Sequence, residues 1–153
     1  MAFKVKIYFE YFMKGDDEEK TDSVYAPFPF TVDGYVTMLK NGDLRLYGEV
    51  KNYVYWVFSM YLSPNANNGK RDVTMYYKKD EEEFSVCFIE GETCFFEFIN
   101  GDVKHTGTVD TMEITDNMTD EGGTMNISAK FKRALTQCND IDVKIECFPM
   151  FDA

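Results

Sequence analysis

Asp140-Ile-Asp-Val-Lys-Ile-Glu-Cys147 decides the fold class of this chain, because its polar and apolar side chains alternate strictly. Successive side chains of a β-strand point to opposite faces, so this alternation is typical of a strand with one buried and one wet face. Residues 4–11 and 125–132 repeat the pattern, and we find one weak helical stretch, around Lys130 to Gln137. The sequence therefore predicts an all-β fold of roughly nine to eleven mostly antiparallel strands.

The length and composition indicate how those strands are organised. A chain of 153 residues suits one domain with a sizeable core. Aromatic residues make up 16% of the chain, which favours strands over helices. No internal repeat or change of composition marks a boundary. We predict that residues 1–153 form a single β-sandwich, with a flattened β-barrel as the alternative.

Glycine positions predict the hairpin turns. Asn41-Gly42 and Asn100-Gly101 suit two-residue type I′ turns, because both central residues of that turn need a positive φ. These turns would place Leu39 opposite Leu44, and Phe98 opposite Val103. The stretch Ser63–Arg71 has the composition of a longer loop.

A third turn, at Glu90-Gly91, predicts which face of the following sheet is buried. It would place Cys87 opposite Cys94 in a meander over Phe84–Val109. The predicted core face comprises Cys87, Ile89, Cys94, Phe96, Phe98, Val103 and His105. The segment Tyr53–Leu62 is apolar on both faces and predicts a central strand that contains Trp56.

The net charge limits the classes of partner. The formal charge is −11, from 27 acidic and 16 basic residues. Such a field repels phosphate groups, so we expect no nucleic-acid partner, and it favours a basic protein partner. The longest apolar run is too short to span a bilayer as a helix, so we expect no membrane insertion.

Acidic residues are concentrated in three predicted loops, at 16–22, 80–83 and 116–121. If these loops form one rim, their charge would steer a basic partner toward it. The candidate binding residues are Asp16, Asp17, Glu18, Glu19, Asp80, Glu81, Glu82, Glu83, Asp120 and Glu121.

Residues that could carry chemistry are few. The chain has four cysteines and one histidine, His105, and it contains no phosphate-binding glycine loop, nucleophile elbow or metal-ligand spacing. We therefore expect no cofactor, no metal and no catalytic residue. The N-terminus lacks a signal-peptide pattern, which favours an intracellular, cytoplasmic protein with four reduced thiols. Removal of a signal before this sequence would instead make the protein secreted.

These features favour a non-catalytic module for protein–protein recognition, through the acidic loops or a strand edge. Tyr8, Tyr47 and Tyr77, at expected exposed strand positions, would suit the centre of an interface. One alternative is a carrier that holds an apolar small molecule between the sheets. Another is a secreted or virally encoded decoy that sequesters a host protein.

Overall fold

A computed structural model describes residues 2–14, 30–51, 55–133 and 137–149, and side-chain positions within 33–48, 57–132 and 140–149. The described residues form ten strands: β1 (Ala2–Lys14), β2 (Phe30–Met38), β3 (Leu44–Lys51), β4 (Tyr55–Pro64), β5 (Arg71–Lys79), β6 (Glu82–Phe88), β7 (Thr93–Asn100), β8 (Val103–Asp116), β9 (Gly123–Arg133) and β10 (Gln137–Pro149). They contain no helix.

The ten strands form one closed antiparallel barrel. Each strand pairs with its neighbours in sequence, and β1 closes the ring by pairing with both β2 and β10. The all-β, mostly antiparallel prediction is confirmed. The sandwich is not confirmed, because a sandwich needs two sheets and these strands form a single hydrogen-bonded ring, the architecture that we gave as the alternative.

Successive loops alternate between the two ends of the barrel, because neighbouring strands run in opposite directions. One end, called end A here, carries the turns 80–81 and 101–102, which are joined by a hydrogen bond from Gly101 N to Glu81 O. The opposite end, end B, carries the loops 39–43, 65–70, 89–92 and 117–122. At end B, Lys70 of the loop 65–70 contacts Glu90 of the loop 89–92, and Arg71 at the start of β5 contacts the loop 117–122.

Alternating side chains fill the barrel interior, as the period of two predicts. Along β5, Val73, Met75 and Tyr77 point inward, whereas Thr74 and Tyr76 are exposed. The prediction that Tyr77 is exposed is therefore wrong, because the inward and outward positions along β5 are shifted by one residue from those predicted. The largest fully buried side chains that line the interior are Phe58, Phe88, Phe98, Leu44, Leu46, Met60, Leu62, Ile114, Met125 and Ile127.

The hairpin at Asn41-Gly42 exists, but its predicted register is wrong. Met38, not Leu39, lies opposite Leu44. The loop contains a turn closed by a hydrogen bond of 3.0 Å from Gly42 N to Leu39 O, and only Gly42 has a positive φ, of 90°. This is the arrangement of a longer loop in which glycine follows a tight turn, rather than a two-residue type I′ turn. Loop length therefore shifted the register by one residue.

The turn at Glu90-Gly91 shows the same kind of shift. Val86 lies opposite Phe96, so the pairing of β6 with β7 is shifted by one residue relative to the prediction. As a result, Val86 and Phe88 are buried, whereas Cys87 and Ile89 are only half-buried. A one-residue slip exchanges the two faces of a strand, which is why this half of the predicted core face is wrong.

At the hairpin after β7, the two-residue loop is Gly101-Asp102, and Asn100 pairs with Val103. Gly101 has a φ of 59° whereas Asp102 does not have a positive φ, and a positive φ at the first central position alone is that of a type II′ turn. Val103 is consequently exposed rather than buried, while Cys94, Phe96 and Phe98 are buried as predicted.

Two further predictions concern single segments. In β4, Phe58, Met60 and Leu62 are buried, but Tyr61 is exposed, so the strand has one wet face there. The Trp56 side chain lies outside the described positions.

The predicted helical stretch is wrong for residues 130–133, which belong to β9. Within the described part of the chain, no helix meets the length and hydropathy that crossing a membrane requires.

Candidate functional site

The acidic residues predicted to form one rim are divided between the two ends of the barrel. Residues 80–81 connect β5 to β6 at end A, whereas residues 117–122 connect β8 to β9 at end B. The two described acidic loops therefore cannot form a common rim. Asp16, Asp17, Glu18 and Glu19 lie outside the described residues.

At end A, the acidic residues form a small cluster with nearby lysines. Asp80 and Glu81 are exposed at the turn, and Asp80 has a positive φ of 55°. Glu82 and Glu83 belong to β6, where Glu82 lies opposite Lys79. The turn borders an open depression of about 190 Å³. The lysines on β5 balance part of the acidic charge, so this cluster is less negative than its sequence indicates.

Glu83 links that cluster to the outer wall of the barrel. Its carboxylate lies 3.4 Å from the Lys78 ammonium group. Partial burial raises the pKa of the Tyr76 hydroxyl, and the negative charge of Glu83 raises it further. The acidic side chains of β6 are thus close neighbours of an exposed tyrosine on β5.

At end B, the loop between β8 and β9 is held by a basic side chain. The Arg71 guanidinium group lies 3.0 Å from Asp116 Oδ1 and donates a hydrogen bond of 2.8 Å to the Met118 carbonyl. Met118 is buried, so the loop covers this end of the barrel. Asp120 is half-buried and Glu121 is exposed. Much of this acidic loop therefore has a structural role.

Glu90, in the loop 89–92, connects this loop to its neighbours at end B. Its Oε2 accepts a hydrogen bond of 2.7 Å from Lys70 Nζ and another of 2.7 Å from Ile114 N. The Ile114 amide lies just beyond an irregularity in the pairing of β8 with β9, where the ladder shifts register between Thr111 and Glu113. These hydrogen bonds hold the pKa of the Glu90 carboxyl below its usual value, and the bond from Lys70 has the larger effect.

The outer wall of β2–β5 presents several tyrosines around one arginine. We call the surface formed by Tyr35, Arg45, Tyr47, Tyr61 and Tyr76 the tyrosine face. Tyr35 lies opposite Tyr47, and Arg45 lies opposite Tyr61. The Arg45 guanidinium carbon is 5.3 Å from the ring centre of Tyr47 and 5.6 Å from that of Tyr61, within the range of cation–π contacts. Tyr35, Tyr61 and Tyr76 are exposed.

An open groove of about 430 Å³ lies on the adjoining wall of β6–β8. Phe95, which is 76% exposed, stands at this groove, and Glu97 and Ser85 also line it. Ser85 lies between Tyr76 of β5 and Glu97 of β7 in the register of the sheet. The groove is therefore continuous with the tyrosine face.

Gly107 allows the wall to pack closely beneath this groove. A Cβ at this position would lie 2.3 Å from the Lys132 carbonyl oxygen and 2.5 Å from the Phe96 ring. The inward-pointing Phe96 ring therefore lies directly against the β8 backbone.

Side chains with reactive or metal-binding groups are dispersed. His105 stacks on Phe98 with ring centres 6.2 Å apart. Cys87, Cys94 and Cys147 are free thiols. Burial raises the pKa of Cys147 to about 12. Burial and then the neighbouring Cys87 thiol raise that of Cys94 to about 11. Among the described residues, no three potential ligands are grouped as a metal site would require.

One polar group stands out in the apolar interior. The side chain of Thr111 is buried, and its hydroxyl has no hydrogen-bond partner among the described residues. Ala129 lies opposite it on β9 and is the smallest of the buried core side chains. A buried hydroxyl without a partner is unfavourable, so this position is a candidate contact for a bound molecule.

Most of these exposed aromatic side chains were not predicted from the sequence. Tyr47 is half-buried on the outer wall, the Tyr8 side chain lies outside the described positions, and Tyr77 is buried. Tyr76 and Phe95, which contribute more exposed surface, could have been identified from their alternation with the inward residues once the register was correct.

Comparisons with known proteins identify the fold but not the family. No protein-family model matches this chain, and no curated protein sequence matches it. The barrel is similar to the crystal structure of the ywiB protein from Bacillus subtilis, with a TM-score of 0.64 and 10% sequence identity. The match covers 95% of this chain and 92% of that chain. At this low identity, the similarity shows a shared fold alone.

Proposed function

We propose that this protein is a non-catalytic recognition module that binds a basic protein partner through the outer wall of its barrel. The tyrosine face carries the proposal. Tyrosine and arginine are enriched at the centres of protein interfaces, and the rigid wall holds these side chains in place before binding. Because the barrel is closed, none of its ten described strands offers an unpaired edge, so the wall is a better candidate than a strand edge.

The charge of the molecule supports a basic partner. The net charge of −11 attracts a positively charged protein over a longer range than any single contact. Glu83 and Glu97 flank the tyrosine face on β6 and β7, where they would lie at the rim of the interface. Charged residues at a rim affect the association rate more than the final affinity.

The test is affinity capture from the native source with variants of the tyrosine face. We expect the double variant Tyr61→Ser/Tyr76→Ser to lose the partner that the wild-type protein captures. Phe148→Ser is the matched control, because Phe148 is 48% exposed on β10, four strands from Tyr61 and five strands from Tyr76 around the barrel. Equal capture by all three proteins, each shown to be folded by circular dichroism, would reject the tyrosine face as the binding surface.

Thr111 favours a second candidate, a carrier of an apolar molecule with one polar group in the barrel interior. Native mass spectrometry of protein purified from its native source would then detect a bound molecule. We expect Thr111→Val, which keeps the side-chain shape but removes the hydroxyl, to retain less of it. Protein with no added mass would count against the carrier.

A further inference from the structure

We propose that the groove beside Phe95 receives an arginine side chain from an extended, basic segment of the partner protein. This inference rests on the proposed function and identifies the subsite at which the partner's positive charge would bind. The guanidinium group would stack on the exposed Phe95 ring and extend toward the Glu97 carboxylate.

The residues that line the groove are suited to binding a cation. Phe95 supplies an aromatic ring face, and Glu97 supplies a negative charge two residues further along β7. Residues two apart on one face of a strand are separated by about 6.8 Å, a distance that an extended arginine side chain can span. Of the described residues that line the groove, none is basic, and Ser85, Thr106 and Thr108 add hydroxyl-bearing side chains.

The chain's own cations show that both halves of the proposed contact occur on the outer surface of the barrel. Arg45 lies against the rings of Tyr47 and Tyr61 at 5.3 Å and 5.6 Å, so an arginine already stacks on aromatic rings of the barrel surface. Lys104 Nζ lies 3.2 Å from Glu97 Oε2, so this carboxylate already binds a cation. The partner's arginine would combine the two contacts.

Lys104 would therefore compete with the partner for Glu97. The side chains of Lys104 and Glu97 are 58% and 40% exposed, and such surface pairs contribute little to stability. An arginine is the better ligand, because its planar guanidinium group can stack on a ring and also form paired hydrogen bonds with a carboxylate. A lysine would form only part of this contact.

The probe for the test is a fluorescein-labelled peptide of alternating glycine, serine and arginine, with binding measured by fluorescence anisotropy at low ionic strength. A second peptide replaces each arginine with citrulline, which has nearly the same shape but no charge. We expect the arginine peptide to bind and the citrulline peptide to bind much more weakly.

Protein variants locate the binding site. We expect Phe95→Leu and Glu97→Gln each to raise the Kd of the arginine peptide about two- to fivefold, the range of an exposed cation–π or charged contact. Phe148→Leu and Glu121→Gln are matched controls, because they remove an exposed phenylalanine and an exposed acid elsewhere. These controls should leave the Kd nearly unchanged.

Competition by Lys104 gives an independent measurement. Lys104→Ala should lower the Kd, because it removes the cation that is bound to Glu97. Lys144→Ala changes the net charge equally but removes a lysine of β10 that lies 2.8 Å from Glu146 and is separated from the groove by β9. A decrease in Kd for the first variant that exceeds that of the second supports the groove, whereas equal decreases contradict it.

The outcomes separate this inference from the proposed function. If the arginine peptide binds all variants equally, or does not bind at all, the groove is rejected as an arginine site. Capture experiments with Tyr61→Ser/Tyr76→Ser then decide the proposed function by themselves. Loss of the native partner in that variant would keep the recognition module without this subsite.

Discussion

Phe58 of β4 points into the barrel, and Phe95 of β7 points out into solvent. Phe58 is 1% exposed inside the barrel, whereas Phe95 is 76% exposed outside it. We expect Phe58→Ala to cost about 3–5 kcal/mol, as large aromatic truncations in cores do. Phe95→Ala should cost less than about 1 kcal/mol. Urea denaturation of the two variants measures both costs, and equal losses would contradict the assigned faces.

The cysteines differ in exposure and therefore in reactivity. Cys87 is half-buried, while burial raises the pKa of Cys94 to about 11 and that of Cys147 to about 12. Because the thiolate is the reactive form, iodoacetamide should modify Cys87 well before Cys147 in the native protein. Peptide mapping over time measures the order, and faster labelling of Cys147 would contradict it.

The total number of thiols tests the expected compartment. We expect labelling of the denatured, unreduced protein to count four free groups. A count of zero would indicate disulfides and would favour the secreted decoy over the cytoplasmic module.

At the scale of the elements, the sequence predicted where strands and turns occur better than how they pair. The alternation of side chains identifies a strand by itself, since it depends only on the chain direction. Register depends on the exact loop length, and Gly42, Gly91 and Gly101 each occupy a different position in their turns. A shift of one residue in the hairpin at Glu90-Gly91 was enough to place Cys87 inside and Val86 outside in the prediction.

The loop that carries Glu90 makes the stability of end B depend on pH. The pKa of Glu90 in the folded protein lies below its ordinary value of 4.5, chiefly because of the Lys70 hydrogen bond. The unfolded chain therefore binds a proton more readily in acid. The stabilisation by the Glu90 carboxylate is present above pH 4.5 and is lost as the pH falls through the lowered pKa of the folded state.

Glu90→Gln should therefore be less stable than the wild-type protein at neutral pH, and the difference should shrink as the pH falls below 4.5. Thermal denaturation from neutral pH into the acid range measures this difference. Glu121→Gln, in an exposed part of its loop, is the control and should follow the wild-type curve. A difference for Glu90→Gln that grows toward acid would contradict the assigned hydrogen bonds.

At the scale of the whole molecule, the basic partner stays a prediction, whereas the single acidic rim is wrong for the two described loops, which lie at opposite ends of the barrel. The loop at 80–81 follows β5, and the loop at 117–122 follows β8. In an antiparallel barrel, loops that follow odd- and even-numbered strands lie at opposite ends. A range of roughly nine to eleven strands does not fix that parity. The exposed residues of the tyrosine face could be identified only with the correct strand register.

Long-range attraction by the acidic end A should increase the association rate with a basic partner. Neutralising Asp80, Glu81, Glu82 and Glu83 together should lower that rate at low salt, with little change in dissociation. At physiological salt the difference should shrink, because screening acts over about 8 Å. Asp120→Asn/Glu121→Gln is the control at end B. Surface plasmon resonance at two salt concentrations measures both rates, and equal effects of the two sets would reject a special role for end A.

Hydroxyl-radical footprinting of the complex with the captured partner tests most directly whether the outer wall is the binding surface. Oxidation of exposed aromatic side chains is compared with and without the partner, and mass spectrometry locates each modified residue. We predict that the partner protects Tyr61 and Tyr76, while Phe148, four and five strands away from them around the barrel, stays equally reactive. Protection of Phe148, with the tyrosine face as reactive as in the free protein, would contradict it.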